Sequence, residues 1–325
     1  MTSPTLPATL RAALDAKLEG LSRHDAAPRA ASISKTYRDG GSSLAIKSEA
    51  DALAYAIVRM PATYAAVTAS LNALCEIRPD FAPTSLLDVG AGPGTASWAA
   101  AETFASLEKF TLLDINPALQ ALALELVREN PRLRTMTYRR DTDGKALDDA
   151  EPADLVVASY LIGEIGNDRR PALAERLWSK TTGTLLVIEP GTPAGYTRII
   201  ELRAQLVAGG AHVAAPCPHD NECPLQKPDW CHFAQRLPRL RAHRQVKGAE
   251  LPFEDEKFSY VVLTRATVAE RFSRVLAPPT VGKTDVSAKL CAPDGLRMVK
   301  VPRRDKAAYA KARRWRWGDA LMDQG

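Results

Sequence analysis

Two groups of residues in this 325-residue chain could do chemistry. The first is a set of four cysteines in the last third, Cys217, Cys223, Cys231 and Cys291. Three of them fall in Cys217-Pro-His-Asp-Asn-Glu-Cys223-Pro-Leu-Gln-Lys-Pro-Asp-Trp-Cys231-His, a Pro-rich stretch with little helical or strand periodicity. A loop without an apolar face needs something other than a core to hold it. Four thiolates make a complete tetrahedral set for Zn²⁺ or for a [4Fe-4S] cluster. The gaps match neither the paired-cysteine knuckles of structural zinc sites nor the cysteine run of bacterial ferredoxins, so spacing leaves the metal open. His219 and His232 are alternative zinc ligands. The second group is Leu86-Leu-Asp88-Val-Gly90-Ala91-Gly92-Pro-Gly94-Thr95, followed by Asp114 at the end of Phe110-Thr-Leu-Leu-Asp114. Glycines between an apolar run and a helix start let backbone approach a ligand closely, and a carboxylate about 20 residues on accepts hydrogen bonds from a ribose diol. Together they imply a cofactor that carries a nucleoside.

These residues need a scaffold, and the sequence supplies an alternation of strands and helices between 83 and about 205. Such alternation reads as α/β, a doubly wound parallel sheet. Asp88, Asp114, Asp141, Ser159 and Glu189 all fall at the C-terminal ends of expected strands, the edge along which ligands bind in open α/β sheets. Residues 1–82 read as a helical region, with Leu10, Leu14 and Leu18 on one face. A second helix from Asp51 is expected to stop at Pro61 and to restart through Leu71, Leu74 and Ile77. Residues 29–43 read as a polar loop or an irregular helix pair, and a short strand is expected near 135–138. Cys75 sits on an apolar helix face and reads as a small buried hydrophobe. Strands at 258–263, 285–290 and 296–301, the last two turning at Pro293-Asp-Gly295, make the end of the chain partly β. The expected divisions are 1–82, 83–210 and 211–325.

The glycine order is not that of a dinucleotide fingerprint, whose third glycine sits one turn into the helix to admit a pyrophosphate. It resembles motif I of class I S-adenosylmethionine (SAM) methyltransferases, with Asp114 as the ribose-binding acid. Asp88, Gly90, Ala91, Gly92, Gly94, Asp114, Asp141 and Ser159 are therefore the expected cofactor residues. After the strand ending at Ser159 the chain reads Tyr160-Leu-Ile, without the Asn/Asp-Pro-Pro motif of base-amino methyltransferases. No Pro-Cys supplies a nucleophile for pyrimidine C5 methylation. Glu164 and Glu189 are the candidate general bases.

The formal charge of +5 is unevenly spread. Residues 1–216 hold 22 Lys+Arg against 25 Asp+Glu, and residues 217–325 hold 21 against 13, so a polyanion should meet the last third. Arg236, Arg239, Arg241, Arg244 and Lys247 follow the cysteine loop. Residues 297–317 carry nine cations against one acid, with Tyr309, Trp315 and Trp317 interleaved. Phosphates attract the cations and bases stack on the aromatics, a composition suited to RNA. No apolar run of membrane-spanning length occurs, so no membrane is expected as a partner. The N-terminus lacks a charged segment followed by an apolar core, and the cytoplasm is the default expectation. Disulfides between the cysteines are disfavoured there.

With these pieces assembled, the sequence resembles the methyltransferase-like proteins of the small ribosomal subunit found in bacteria and mitochondria. The matching stretches are Arg59-Met-Pro-Ala-Thr-Tyr64, Leu87 to Thr95, Ser159-Tyr-Leu-Ile-Gly-Glu164, Glu189-Pro-Gly-Thr192, Cys217-Pro-His-Asp220, Asp229-Trp-Cys-His-Phe233, the Cys291 hairpin, Ala312-Arg-Arg-Trp315 and Trp317-Gly-Asp319. The resemblance implies a SAM-binding Rossmann-like domain and a [4Fe-4S] cluster on Cys217, Cys223, Cys231 and Cys291. It also implies binding to small-subunit ribosomal RNA or 30S assembly intermediates. Methylation of that RNA, a non-catalytic assembly role with SAM as a structural ligand, and a small-molecule methyltransferase with a zinc module are the functions to separate.

Overall fold

The computed structural model describes residues 1–19, 29, 43–142, 144–239, 251–269 and 272–322. Among the described residues the helices of seven residues or more are, in chain order, α1 (Ala8–Glu19), α2 (Glu49–Ile77), α3 (Thr95–Thr103), α4 (Pro117–Leu126), α5 (Arg170–Ser179), α6 (Pro193–Ala208) and α7 (Lys306–Ala312). The strands are β1 (Ser85–Val89), β2 (Lys109–Asp114), β3 (Thr137–Arg140), β4 (Ala153–Ser159), β5 (Thr181–Pro190), β6 (His212–Ala215) and β7 (Phe233–Pro238). After them come β8 (Phe253–Thr264), β9 (Phe272–Val275), β10 (Thr280–Val281), β11 (Asp285–Ala292), β12 (Gly295–Pro302) and β13 (Ala320–Met322). The large sheet runs β3-β2-β1-β4-β5-β8-β6, with β7 added to β8. The pairings from β3 to β5 are parallel, and β8 is antiparallel to β5, β6 and β7. This is the expected doubly wound, Rossmann-like sheet of methyltransferase type, with β8 reversed between β5 and β6. Strands from both 83–210 and 211–325 hydrogen-bond into it.

Both faces of this sheet are covered at its centre, which is why β1, β2, β4 and β5 are largely apolar. Leu86, Leu112, Leu155, Val157, Leu186 and Ile188 belong to one core cluster, and Leu87, Leu113, Val156, Ala158, Leu185 and Val187 to another. The alternation is the two-residue period of the strand. The first cluster is closed by α1, α2, α3 and α4, the second by α5 and α6. A second, five-stranded sheet is ordered β10-β11-β9-β13 with β12 on β11, and the expected hairpin forms its longest pairing.

Some local expectations change. The helix that was to stop at Pro61 runs through it, and α2 spans 29 residues with Pro61 inside. Proline forfeits one helical hydrogen bond, yet Met60, Tyr64, Leu71 and Leu74 around it are buried in the core, and that packing outweighs the loss. The start of α2 is fixed by a capping box: Ser48 Oγ accepts from the Asp51 N–H at 3.2 Å, and Asp51 Oδ2 accepts from the Ser48 N–H at 3.1 Å. The third strand begins at Thr137, because residues 133–135 form a 3₁₀ turn first. Cys75 is half-buried and packs against the first cluster. The polar loop 29–43 lies outside the described residues except at its two ends, and so do Arg241, Arg244 and Lys247.

Candidate functional site

A cleft of about 1550 Å³ lies along the C-terminal ends of the central strands. Gly90, Gly92, Asp114, Asp141, Ser159, Glu164 and Glu189 line it, so seven of the expected residues meet there. Asp88, Ala91 and Gly94 stand behind it. Gly90, Gly92 and Gly94 have φ of 72°, 53° and 79°, the left-handed region that favours glycine. A Cβ on Gly92 would meet only the Leu119 side chain at 3.8 Å.

The loop holds itself. The N–H groups of Gly90 and Ala91 donate to the Leu113 carbonyl at 2.8 and 3.0 Å, and that of Gly94 to the Ala91 carbonyl at 2.9 Å. The Gly92 N–H donates to Asp114 Oδ2 at 2.8 Å, and the Tyr138 hydroxyl donates to the Gly92 carbonyl at 2.6 Å. These four N–H groups are spent, so this is a loop for close approach rather than the N–H cradle that phosphate requires. Asp114 Oδ1 accepts from the Asn116 N–H at 2.8 Å. Burial raises the Asp114 carboxyl above its usual range, opposed by these backbone donors. Each oxygen keeps a further lone pair, the arrangement that accepts a hydroxyl.

Asp88 works on the other side of the loop. It is fully buried, and its Oδ2 accepts from the Ser97 N–H at 3.1 Å and Ser97 Oγ at 2.8 Å. The helix α3 begins on Gly94, which has no side chain to cap it, and Asp88 satisfies a first-turn donor in its place. Burial pushes this carboxyl up to about 7.

Both candidate bases are engaged. Glu164 Oε2 accepts from the Ser43 N–H and Oγ, each at 3.1 Å. Glu189 is closed to solvent, pairs with Arg198 Nε at 2.6 Å and accepts from the Gly163 N–H at 3.2 Å. Burial raises both carboxyls, with the Ser43 donors and Arg198 respectively pulling the other way. Asn116, not singled out in the sequence, caps α4 and donates from Nδ2 to the Ser43 and Ile46 carbonyls at 2.8 and 2.9 Å, which ties the segment before α2 to the cleft. Its signal was there to read, an Asn-Pro directly after a strand.

Tyr160 stands where the base-amino motif would place a proline. It is the only non-glycine residue with positive φ among the described residues, at 58°. That backbone costs roughly 1–2 kcal/mol and tends to survive where a function holds it. Its hydroxyl donates to Glu256 Oε1 at 2.8 Å, and Arg59 lies 5.5 Å from its ring centre. Tyr55, Arg59 and Thr63 line the cleft from α2 at helical spacing, so the N-terminal helices build part of the wall as well as packing on the core.

The cysteines converge in a second, smaller cavity, lined by Cys217, Cys223, Cys231 and Cys291 with Tyr196, Ile199, Ile200 and Arg203 of α6. Tyr196 Oη lies 3.1 Å from Cys223 Sγ, and His219 Nε2 lies 3.6 Å from Cys291 Sγ. Arg203 donates to the His219 and Asn221 carbonyls, both at 2.8 Å, and Arg274 Nε to the Pro216 carbonyl at 3.1 Å. Both guanidiniums are buried, and each leaves one nitrogen with no hydrogen-bond partner. Burial raises the Cys217 thiol, against the pull of Arg203, and pushes Cys291 up to about 12 with help from the neighbouring thiols. Among the described residues no group of three or more His, Cys, Asp or Glu side chains is placed to hold a metal ion as it stands.

The basic end differs from expectation in its aromatics. Trp317 packs on the first core cluster and edge-on against His232, ring centres 4.9 Å apart, and Trp315 packs under the second sheet. Large rings gain more from burial than from solvent, so they anchor this segment and leave Arg303, Arg304, Lys306, Arg313, Arg314 and Arg316 exposed.

The model of the family described as "Mitochondrial small ribosomal subunit Rsm22" matches residues 49–322. The chain belongs to the Rsm22 family. The human "Ribosome assembly protein METTL17, mitochondrial" is 28% identical over 290 residues, covering 83% of this chain and 62% of that protein. The fission-yeast "Rsm22-cox11 tandem protein 2, mitochondrial" is 27% identical over 330 residues, covering 84% of the chain and 43% of its own length. The chain therefore spans less than two thirds of these Rsm22 relatives. Among solved structures, the precorrin-6y C5,15-methyltransferase of Geobacter metallireducens has a TM-score of 0.40 at 15% identity, over 60% of this chain and 86% of that one. The magnesium protoporphyrin IX methyltransferase of Synechocystis has 0.39 at 12%, over 62% and 84%. The fold assignment rests on the strand order rather than on these values. The cytoplasmic expectation is corrected: it rested on a default, and the family description and both curated relatives are mitochondrial. Among the described residues no helix is long and apolar enough to cross a membrane.

Proposed function

We propose that this Rsm22-family protein binds SAM in the large cleft and engages the RNA of the assembling small ribosomal subunit, with a [4Fe-4S] cluster on its four cysteines. The observation that carries the reading is the meeting of the Gly90–Gly92 backbone, Asp114 and Asp141 in one cleft of a chain from a small-subunit family. Asp114 would accept the ribose hydroxyls, the open side of Gly92 would admit the nucleoside, and Asp141 would approach the adenine. The spent N–H groups suit a cofactor without phosphate. When bound, SAM would supply a sulfonium methyl group for transfer.

The resemblance to the methyltransferase-like proteins of the small subunit favours a [4Fe-4S] cluster over zinc; the four thiols by themselves suit either centre. Four thiolates on either centre leave it net negative, which would compensate the partly unpaired guanidiniums of Arg203 and Arg274. Cys217, Cys223, Cys231 and Cys291 would be the ligands, with Tyr196 and His219 able to donate to their sulfurs.

A non-catalytic assembly role is favoured by one specific observation: Glu164 and Glu189, the two candidate bases, are both held in hydrogen bonds. Incubation of the protein with labelled SAM and immature small subunits separates the two. Labelled RNA establishes transfer, and SAM binding by calorimetry without label on any substrate establishes the structural role. No SAM binding at all refutes the cofactor assignment. Iron and sulfide content of anaerobically purified protein tests the cluster.

A further inference from the structure

The nucleoside half of the cleft lies over β1, β2 and β3, yet the cleft continues well beyond it. At about 1550 Å³ it exceeds the roughly 300–1,000 Å³ that one small ligand occupies. The remaining space lies over β4, β5 and β8. In the antiparallel pairing of β5 with β8, Phe258 stands opposite Pro190, the last residue of β5. Glu256, two residues earlier, therefore lies beyond the C-terminal end of β5, in the part of β8 that pairs with β7, opposite Gln235. Strands are about 4.8 Å apart, which puts β8 about 14 Å from β1 and further from Asp114. Glu256 is thus placed for something other than the nucleoside.

Its carboxylate is prepared for a ligand. Tyr160 Oη donates to Oε1 at 2.8 Å, and Arg59 approaches the same oxygen at 3.5 Å. Oε2 takes no hydrogen bond from any described residue, and the side chain is 16% exposed on the cleft. Tyr160 is held in its strained backbone by a 2.7 Å bond from its N–H to the Ile188 carbonyl, which aims the phenol across the cleft. Tyr55 adds a second aromatic ring to the same wall.

We infer that Glu256, Tyr160 and Arg59 form a subsite for a guanine base of single-stranded RNA, beside the cofactor position. A carboxylate recognises adjacent N–H donors, and among the four RNA bases guanine alone carries two side by side on its pairing edge, N1–H and the N2 amino group. The tyrosine rings supply the stacking surface that an unpaired base needs. The subsite rests on the SAM reading only for what lies next to it, and its occupation does not require methyl transfer.

The test is saturation-transfer NMR of GMP, AMP, CMP and UMP with the full chain, with and without S-adenosylhomocysteine, whose own affinity is measured by calorimetry. GMP gives the strongest signal, and Glu256→Gln weakens GMP on the order of tenfold, as loss of a charge-assisted acceptor should, while S-adenosylhomocysteine affinity stays within about twofold. Should Glu256→Gln melt early, Tyr160→Phe, which removes only the hydroxyl, carries the comparison. Equal signals from the four nucleotides, no signal at all, or GMP binding indifferent to both substitutions overturns the subsite. Failure of S-adenosylhomocysteine to bind the native chain refutes the cofactor assignment alone, since GMP selectivity in its absence still decides this one.

Discussion

Asp88 gives the sharpest quantitative test of how the cofactor loop is built. The folded chain keeps its proton up to about pH 7, whereas the unfolded carboxyl releases it near 3.8. Between those values unfolding releases a proton, so rising pH favours the unfolded chain. The contribution is whole below the unfolded value and gone above the folded one. At about 1.4 kcal/mol per pH unit, the two units from pH 5 to 7 are worth about 3 kcal/mol. Asp88→Asn keeps an oxygen that can accept from the Ser97 N–H and Oγ and removes the ionisation. The substituted protein should be similar to or slightly less stable than the native chain at pH 5. By pH 7 to 8 it should be more stable, by about 2–3 kcal/mol. Urea unfolding of both proteins at four pH values across this range gives the difference directly. A stability difference that does not change with pH would mean that Asp88 is ionised throughout, and that its place behind α3 is paid for by a partner other than Ser97.

Gly92→Ala puts a methyl group into the cleft on a left-handed backbone, so SAM affinity should fall by at least about tenfold for roughly 1 kcal/mol of lost stability; calorimetry and melting read the two separately. Cys291→Ser should bring iron and sulfide in anaerobically purified protein to background and abolish its visible absorbance, with the large sheet still folded by circular dichroism. Joint replacement of Arg313, Arg314 and Arg316 by alanine should weaken binding to single-stranded ribosomal RNA and lower the slope of log K against log salt by about 2, at roughly 0.7 per phosphate contact. An unchanged slope would show that these exposed cations do not meet RNA.

The parallel centre of the large sheet, β1, β2, β4 and β5, could be read from sequence because those strands are apolar runs bounded by turn residues, whereas β6 and β7 carry no such signal and are not among the expected strands. The loop and Asp114 could be read because glycine and carboxylate at fixed spacing have few other uses. The rest depended on partners distant in sequence. Glu256 lies near Tyr160 only because β8 is inserted in reverse beside β5, and no local pattern announces that. Trp315 and Trp317 sit among arginines, and composition does not say whether a ring faces solvent or core. Pro61 is an ordinary stop signal that burial of its neighbours overrode. Asp88 was read as a cofactor residue because it shares the motif, but strand alternation turns its side chain away from the cleft and under α3.

The two sites are not independent parts of one chain, since α6 is a wall of both. Tyr196, Ile199, Ile200 and Arg203, at helical spacing, face the cysteine cavity, while Arg198 reaches Glu189 in the cleft. The turn that starts this helix has little room to adjust. A Cβ on Gly195 would stand 2.0 Å from the Pro190 carbonyl oxygen, and one on Gly191 would stand 2.7 Å from the backbone of Lys257 and Phe258. Trp230, next to Cys231, donates from Nε1 to the Gly191 carbonyl at 3.1 Å, and Ser259 on β8 donates to the Cys231 carbonyl at 2.8 Å. A close-packed interior transmits displacement instead of absorbing it. Any rearrangement of the four sulfurs around a metal centre must therefore be accommodated through α6 and the Glu189–Arg198 pair, on the side of the cleft away from the nucleoside.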